Sequence, residues 1–277
     1  MKRKSRYVKV AEIAYHLTKQ SLPKYSHPKS PHHFTFPQLA ACVLVMFYLD
    51  LSYRDMEEWL LATDKVCQAL ELPRVPNYST LQRTYKKLRM NDFNQMREKL
   101  LDALEIEEEA VASDSTGFSP GQASLYYQTR QGKWYRRWFK GVYAVGIVTK
   151  FILAWRRGFG PGSDVSYLSG LRRDVRRYVK QREWVMLADS GFDGKTVKTG
   201  DLIPPVRRSG NLLDPARKAR AELVDQARLD GLFGQRWQSE TVMSLIKRKF
   251  GNTIRSRKRS LQNREPIVKG LVYNIHL

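Results

Sequence analysis

The run Trp184-Val185-Met186-Leu187-Ala188 is apolar without a break and stops at Asp189-Ser190-Gly191. A short, wholly apolar run bounded by turn residues marks a strand buried on both faces, the central strand of a helix-covered sheet. That points to an α/β chain. A second run, Ala110-Val111-Ala112-Ser113, is made of small and β-tolerant residues and ends the same way, in Asp114-Ser115-Thr116-Gly117. A carboxylate at such a strand exit is held rigidly at the sheet edge, where α/β folds bind ligands and metals.

A third acid stands on a predicted helix. Residues 236–250 contain no Gly or Pro, and Gly251 supplies a stop signal. At about 100° per residue, Glu240 falls about 40° and Lys247 about 20° from Arg236, so the three share one stripe. Val242, Leu245, Ile246 and Phe250 supply the apolar side. An acid between two cations reads either as a solvated, ion-paired face or as a metal-binding Glu flanked by phosphate-holding cations. The two upstream aspartates favour the second reading. Three carboxylates from two strands and a helix are hard oxygen donors of the kind that suits Mg²⁺.

Asp114-Ser115-Thr116-Gly117, Asp189-Ser190-Gly191-Phe192-Asp193 and the spacing Phe233-x2-Arg236-x3-Glu240-x6-Lys247 together resemble the bacterial insertion-sequence DDE transposases with the Y-(2)-R-(3)-E-(6)-K signature. The similarity extends over most of the chain. The family's Tyr is Phe233 here, which keeps a ring and loses one phosphate hydrogen bond but no metal ligand. The resemblance implies catalytic and metal-binding roles for Asp114, Asp189 and Glu240, with Arg236, Lys247 and Phe233 at the DNA phosphates. Two metal ions about 4 Å apart would activate the attacking hydroxyl and stabilise the leaving oxyanion. Asp114 would bridge them, with Asp189 and Glu240 each chiefly on one ion. Mg²⁺ is the expected cofactor, with Mn²⁺ able to substitute. Like charges so close repel without the cations, so metal is expected to stabilise the fold. Asp193 is expected to orient the Asp189 turn or to cap the next helix, not to ligate. The implied activity is that of a transposable element's endonuclease. It hydrolyses the ends of an insertion sequence at terminal inverted repeats, then uses the freed 3′-OH to attack target DNA. The implied partners are double-stranded DNA, at the ends and at the target, and a second copy of the chain in a synaptic homodimer. Two other readings stay open: a catalytically idle, transposase-derived DNA-binding protein, and a metal-dependent nuclease without strand transfer.

Charge agrees with a polyanionic partner. The 277 residues hold 49 Lys+Arg against 27 Asp+Glu, a net charge of +22 whose self-repulsion nucleic acid would relieve. Hydrophobic content of 42% excludes a disordered chain. Cys42 and Cys67 have no CxxC spacing and read as reduced core residues. The apolar stretch 39–49 is far short of the roughly 20 residues a membrane span needs. A cytoplasmic chain, at the bacterial nucleoid when bound to DNA, is expected.

Along the chain, residues 1–33 read as a basic, Pro/His-rich solvated segment. Residues 34–109 read as a helical, helix-turn-helix-like DNA-binding region. Within it, Pro37 opens one helix, Ser52 with Asp55 caps another, Ser79 caps a last one, and residues 91–109 form a connector with a solvated acidic end. Ser79, Thr80, Gln82, Arg83 and Lys86 of that last helix are the candidates for reaching DNA. Residues 110–277 read as a ribonuclease H-like domain, α/β with a mixed five-stranded sheet in the order 3-2-1-4-5, which sets Asp114 beside Asp189. Its expected parts are a turn at 119–121, strands at 134–139 and 142–155 joined at Lys140-Gly141, and a helix over 164–182. The cations of that helix, Arg172, Arg173, Arg176, Arg177, Lys180 and Arg182, with Arg172, Arg176 and Arg177 foremost, suggest a DNA-facing stripe. The mixed aromatics and cations at 134–138 can stack bases. A short helix through Lys195 and Lys198, an edge strand at 202–206, a helical insertion at 211–230 and a terminal helix complete the expectation.

Overall fold

A computed structural model describes residues 4–29, 31–120, 138–160, 162–179, 184–207 and 212–277. The segment 134–137, Lys180 and Arg182 lie outside them. The chain forms two compact units, one of residues 1–104, 248–251 and 258–277, the other of 105–247 and 252–257.

The first unit is helical: α1 (Arg6–Ser21), α2 (Phe36–Tyr48), α3 (Tyr53–Leu61), α4 (Asp64–Ala69), α5 (Tyr78–Lys87) and α6 (Met90–Asp102). The N-terminal segment is therefore not solvated throughout. α1 buries Val10, Ala11, Ala14, Tyr15 and Leu17, a one-sided apolar pattern masked in the sequence by its many cations. α2 starts at a Thr35/Gln38 capping box with Pro37 in its first turn, and α3 at the Ser52/Asp55 box. The cap of α5 is Asn77, not Ser79, since the Asn77 side chain accepts from the Ser79 N–H. α5 packs on α2 and α3, and the Glu57 carboxylate of α3 accepts from the Tyr78 N–H at 2.8 Å. α6 stops at Asp102, so the connector is shorter than expected.

The last turn of a helix at Trp237–Phe250 belongs to this unit too. So does the terminal helix at Glu265–His276, which its place in the sequence assigns to the α/β part. It packs on α1, α2 and α6 and is buried from Glu265 to Ile275, on all faces and not one. Lys269, itself buried, donates to the carbonyls of Phe250 (2.6 Å) and Gly251 (2.7 Å), satisfying a helix C-terminus that would otherwise carry orphan acceptors.

The second unit is built on a mixed sheet. β1 (Ala110–Pro120), β2 (Phe139–Gly146) and β3 (Ile152–Phe159) form an antiparallel meander, and β4 (Val185–Ala188) pairs parallel to β1. The order is β3-β2-β1-β4. The expected fifth position beside β4 is a single parallel bridge, Leu187 to Leu202, because Pro204 and Pro205 remove the next ladder donors. The fifth strand is instead β5 (Thr253–Ile254), which extends β1 at Ser119 and Pro120. The predicted turn at 119–121 is thus still strand as far as Pro120. The hairpin also moves: Lys140 and Gly141 lie within β2, and the reversal falls at residues 147–150. Glu108 explains it. Only 2% exposed, its carboxylate accepts from the N–H groups of Val148 (3.0 Å) and Thr149 (2.7 Å) and from the Thr149 hydroxyl (2.6 Å). An acid that reads as solvated is the clamp of the turn.

Helices cover the sheet. α7 (Val165–Val175) lies on β2 and β3 and ends earlier than predicted. No helix runs through Lys195 and Lys198; a 3-10 turn, Ser190–Phe192, takes its place. α8 (Pro215–Leu229) is the predicted insertion helix. A 3-10 turn at Phe233–Arg236 leads into α9 (Trp237–Phe250), and a short α10 (Arg259–Gln262) and the terminal α11 (Glu265–His276) follow in the first unit. The architecture is the mixed five-stranded, helix-flanked sheet of a ribonuclease H-like fold. Among the described residues no single helix is long and apolar enough to cross a membrane, and Cys42 and Cys67 are free thiols.

Candidate active site

The β1–β4 register positions the two aspartates. Ser113 pairs with Ala188 as the last rung, so Asp114 and Asp189 are the next residues on adjacent parallel strands, and residues level in such a ladder point to the same face. Asp114 stays inside the β1–β2 ladder opposite Tyr143, whereas Asp189 leaves β4 and caps the 3-10 turn, accepting from the Gly191 N–H at 3.0 Å. One oxygen of Asp114 accepts from the Ser115 N–H at 2.7 Å.

Glu240 lies in the first turn of α9, and Arg236 sits one turn earlier. The two form an i,i+4 ion pair of 2.6 Å. All four groups share one electrostatic environment with Lys247. Burial lifts the Asp114 carboxyl to about 6; the Ser115 N–H works against that shift, Asp189 raises it further, Arg236 lowers it and Glu240 raises it. Burial pulls Lys247 below the usual lysine range, against the attraction of Asp114. Its ammonium lies 5.8 Å from the centre of the Phe118 ring on β1. Phe233 packs its ring against the apolar cluster of Ala110, Ala112, Leu187, Leu202, Val224 and Ala227, with the Arg228 guanidinium 5.2 Å above it.

A brace behind Asp114 went unread in the sequence. The Lys140 ammonium donates to Asp164 (2.8 Å) and to the Gly162 carbonyl (2.7 Å), and the Ser115 hydroxyl donates to the other Asp164 oxygen (2.8 Å). Lys140 is buried, so this pair fixes β1, β2 and the start of α7 around the acid. A Lys in an apolar strand opposite Gly117 was the available signal, and beside Gly141 it reads as a turn residue instead.

Asp193 has a structural place. Arg217 and Arg220 of α8 both pair with it, and the Val206 N–H donates to it at 2.8 Å. A buried carboxylate so committed docks α8 on the loop after β4. Trp237, which no sequence pattern singles out, is 52% exposed at the start of α9, between Arg236 and Glu240 in the chain.

The remaining candidates lie on other elements. On α5, Gln82, Arg83 and Lys86 are exposed, Ser79 and Thr80 half-buried, and Leu81, Thr84 and Tyr85 face the core. On α7 and just beyond it, Arg176 and Arg177 are exposed, while Arg172 pairs with Asp201.

Three carboxylates, one of them raised in pKa by burial and by the other two, make a donor set suited to a hard divalent cation. Among the described residues, no three His, Cys, Asp or Glu side chains are gathered closely enough to enclose an ion. A family model described as Transposase DDE domain matches residues 105–275, more than half of the chain. A search of curated proteins found no match.

Proposed function

The chain belongs to the transposase DDE-domain family, and from that premise we propose that it cuts DNA at the terminal inverted repeats of an insertion sequence and joins the freed 3′-OH ends to target DNA. The family acts on DNA and depends on divalent metal. The observation that carries the reading is the register that sets Asp114 and Asp189 level on adjacent parallel strands, with Glu240 near enough to raise the Asp114 carboxyl.

Asp114, Asp189 and Glu240 would hold Mg²⁺, or Mn²⁺ in its place. Bound there, the metal supplies positive charge for the attacking and departing oxygens of phosphoryl transfer. Asp114 would hold the ion as a carboxylate, a form that its burial disfavours unless a cation stands beside it. Glu240, now paired with Arg236, would be a ligand of the ion, and Arg236 would then be available to a phosphate oxygen. Lys247 provides a second cation on the same stripe, and its desolvation strengthens its pull on an anion. Phe233, a half-buried ring without the family's hydroxyl, would stand beside the phosphates that Arg236 and Lys247 hold. In the first step water displaces the 3′ oxygen of the element's end, leaving a 3′-OH and a 5′-phosphate. In the second, that 3′-OH displaces a 3′ oxygen in target DNA.

The exposed side of α5, with Gln82, Arg83 and Lys86 and the flanking Ser79 and Thr80, would read the inverted repeats. A homodimer would synapse two ends. Asp114→Asn or Glu240→Gln should abolish Mg²⁺-dependent cutting of the element's own ends while leaving end binding intact; either variant cutting normally refutes the assignment. Precleaved ends mixed with a target plasmid separate the alternatives. Joined product supports strand transfer, cutting without joining indicates a nuclease, and binding without either indicates an idle DNA-binding protein.

A further inference from the structure

A cavity of about 1110 Å³ opens at the N-terminal ends of β1 and β4, beside Ala110 and Val185. Asp114 and Asp189 each lie four residues further along, about 13 Å at 3.3 Å per residue. Five cations line the cavity: Arg172, Arg173 and Arg176 from the end of α7, and Lys195 and Lys198 from the loop after β4. Glu109 is the one acid among the lining residues. All of the cations but Arg172 are exposed.

The cavity is held in shape from below. Asp201, 1% exposed, accepts from the Arg172 guanidinium of one wall and from the Lys198 N–H of the other at 3.0 Å. Arg172 also lies 4.5 Å over the Trp184 ring, which is buried. One carboxylate thus staples a helix to a loop, and Arg172 spends its charge there. The other four cations line the cavity with Thr196 and Thr199, and Arg173 also lies 3.5 Å from the Asp174 carboxylate.

We propose that this cavity is a second phosphate site, which grips the backbone of duplex DNA away from the position of cleavage. The inference rests on the reading that DNA is cut at the three acids. The ligand is the sugar-phosphate chain and not a base, because the lining's one aromatic ring is covered by Arg172 and offers no stacking face. A polymer suits it better than a small anion, because four of its five cations are exposed at the surface and enclose nothing. At about 3.4 Å per base pair, 13 Å places the gripped phosphates about four base pairs from the scissile one.

The test compares a duplex that stops about two base pairs beyond the cleavage position with one that runs about ten beyond it. The wild-type chain binds the longer duplex at least tenfold tighter, and an equally long single strand gains less. In Arg173→Gln/Lys195→Gln/Lys198→Gln that advantage disappears, and the slope of log affinity against log salt falls by about 2 to 3 on the long duplex only. None of these side chains holds Asp201, and Lys195→Glu alone, at an exposed loop position, gives the same result should the triple variant fold poorly. Phosphate ethylation about four base pairs from the cut interferes with binding of the wild type and not of the variant. Asp114→Asn keeps the length advantage, so loss of cutting and loss of the grip are separate failures. Equal weakening on both duplexes overturns the proposal, as does retention of the advantage by the variants. Binding of a nucleoside triphosphate that the variants lose, with no effect of duplex length, also overturns it and makes the cavity a small-anion pocket.

Discussion

Asp114 is the residue at which folding and chemistry conflict. Its carboxyl, raised from 3.8 to about 6 by burial and by Asp189 and Glu240, is easier to keep neutral in the folded chain than in the unfolded one. The stability it contributes is fully present below pH 3.8 and is lost as pH rises through about 6. Metal-free protein should therefore lose on the order of 1–2 kcal/mol between pH 5 and 8 from this site, and Asp114→Asn, which avoids the whole shift, should be the more stable protein at pH 8 by about 3 kcal/mol. Added Mg²⁺ should raise the wild-type melting temperature at pH 8 and leave that of Asp114→Asn nearly unmoved. Thermal melts at three pH values, with and without metal, check this. A wild-type curve as flat as the variant's would show that Asp114 carries no such strain.

At the scale of elements, single carboxylates hold the pieces of the α/β unit in register. Glu108 takes three donors from the reversal between β2 and β3. Glu108→Ala leaves those groups to find water and should cost about 1–3 kcal/mol by urea unfolding, with Glu108→Gln recovering part of it. Asp193 does the same for α8 through Arg217 and Arg220. Asp193→Ala strands two half-buried guanidinium groups and should cost about 3–5 kcal/mol, whereas a metal ligand at 193 would instead show its loss in metal affinity. Limited proteolysis within residues 212–230 should become faster in that variant. Lys140 belongs to the same class, but its Asp164 partner also holds the Ser115 hydroxyl beside Asp114. Lys140→Met should therefore lower cutting as well as stability.

For the whole molecule the governing quantity is charge. An excess of +22 has to be met by phosphates, and each one engaged releases counterions. Affinity for DNA should fall linearly in log affinity against log salt, with a slope of several, for specific and random sequences alike; a flat response would remove the charge argument. The grouping of residues also has a consequence at this scale. Residues 258–277 close the core of the helical unit, with Lys269 capping the end of α9. Truncation before residue 258 should therefore unfold the helical unit, measured as loss of helical circular dichroism, even though the three acids all precede the cut.

The α/β class, the strands that carry Asp114 and Asp189 and the helix that carries Glu240 were legible in the chain, because an unbroken apolar run, a terminal carboxylate and a helical stripe are local patterns that neighbouring residues suffice to define. Helix starts at Pro37 and Ser52 were legible for the same reason, since a cap needs partners within three residues. The reversal at 147–150, the place of the fifth strand, the brace of Lys140 and Asp164 and the burial of Glu108 and Asp193 were not. Each depends on a partner between 13 and 41 residues away, or on which edge of the sheet remains open. A charged side chain reads as solvated until the fold supplies the groups that satisfy it, so only the tertiary structure decided that Glu108, Asp164 and Asp193 hold the protein together.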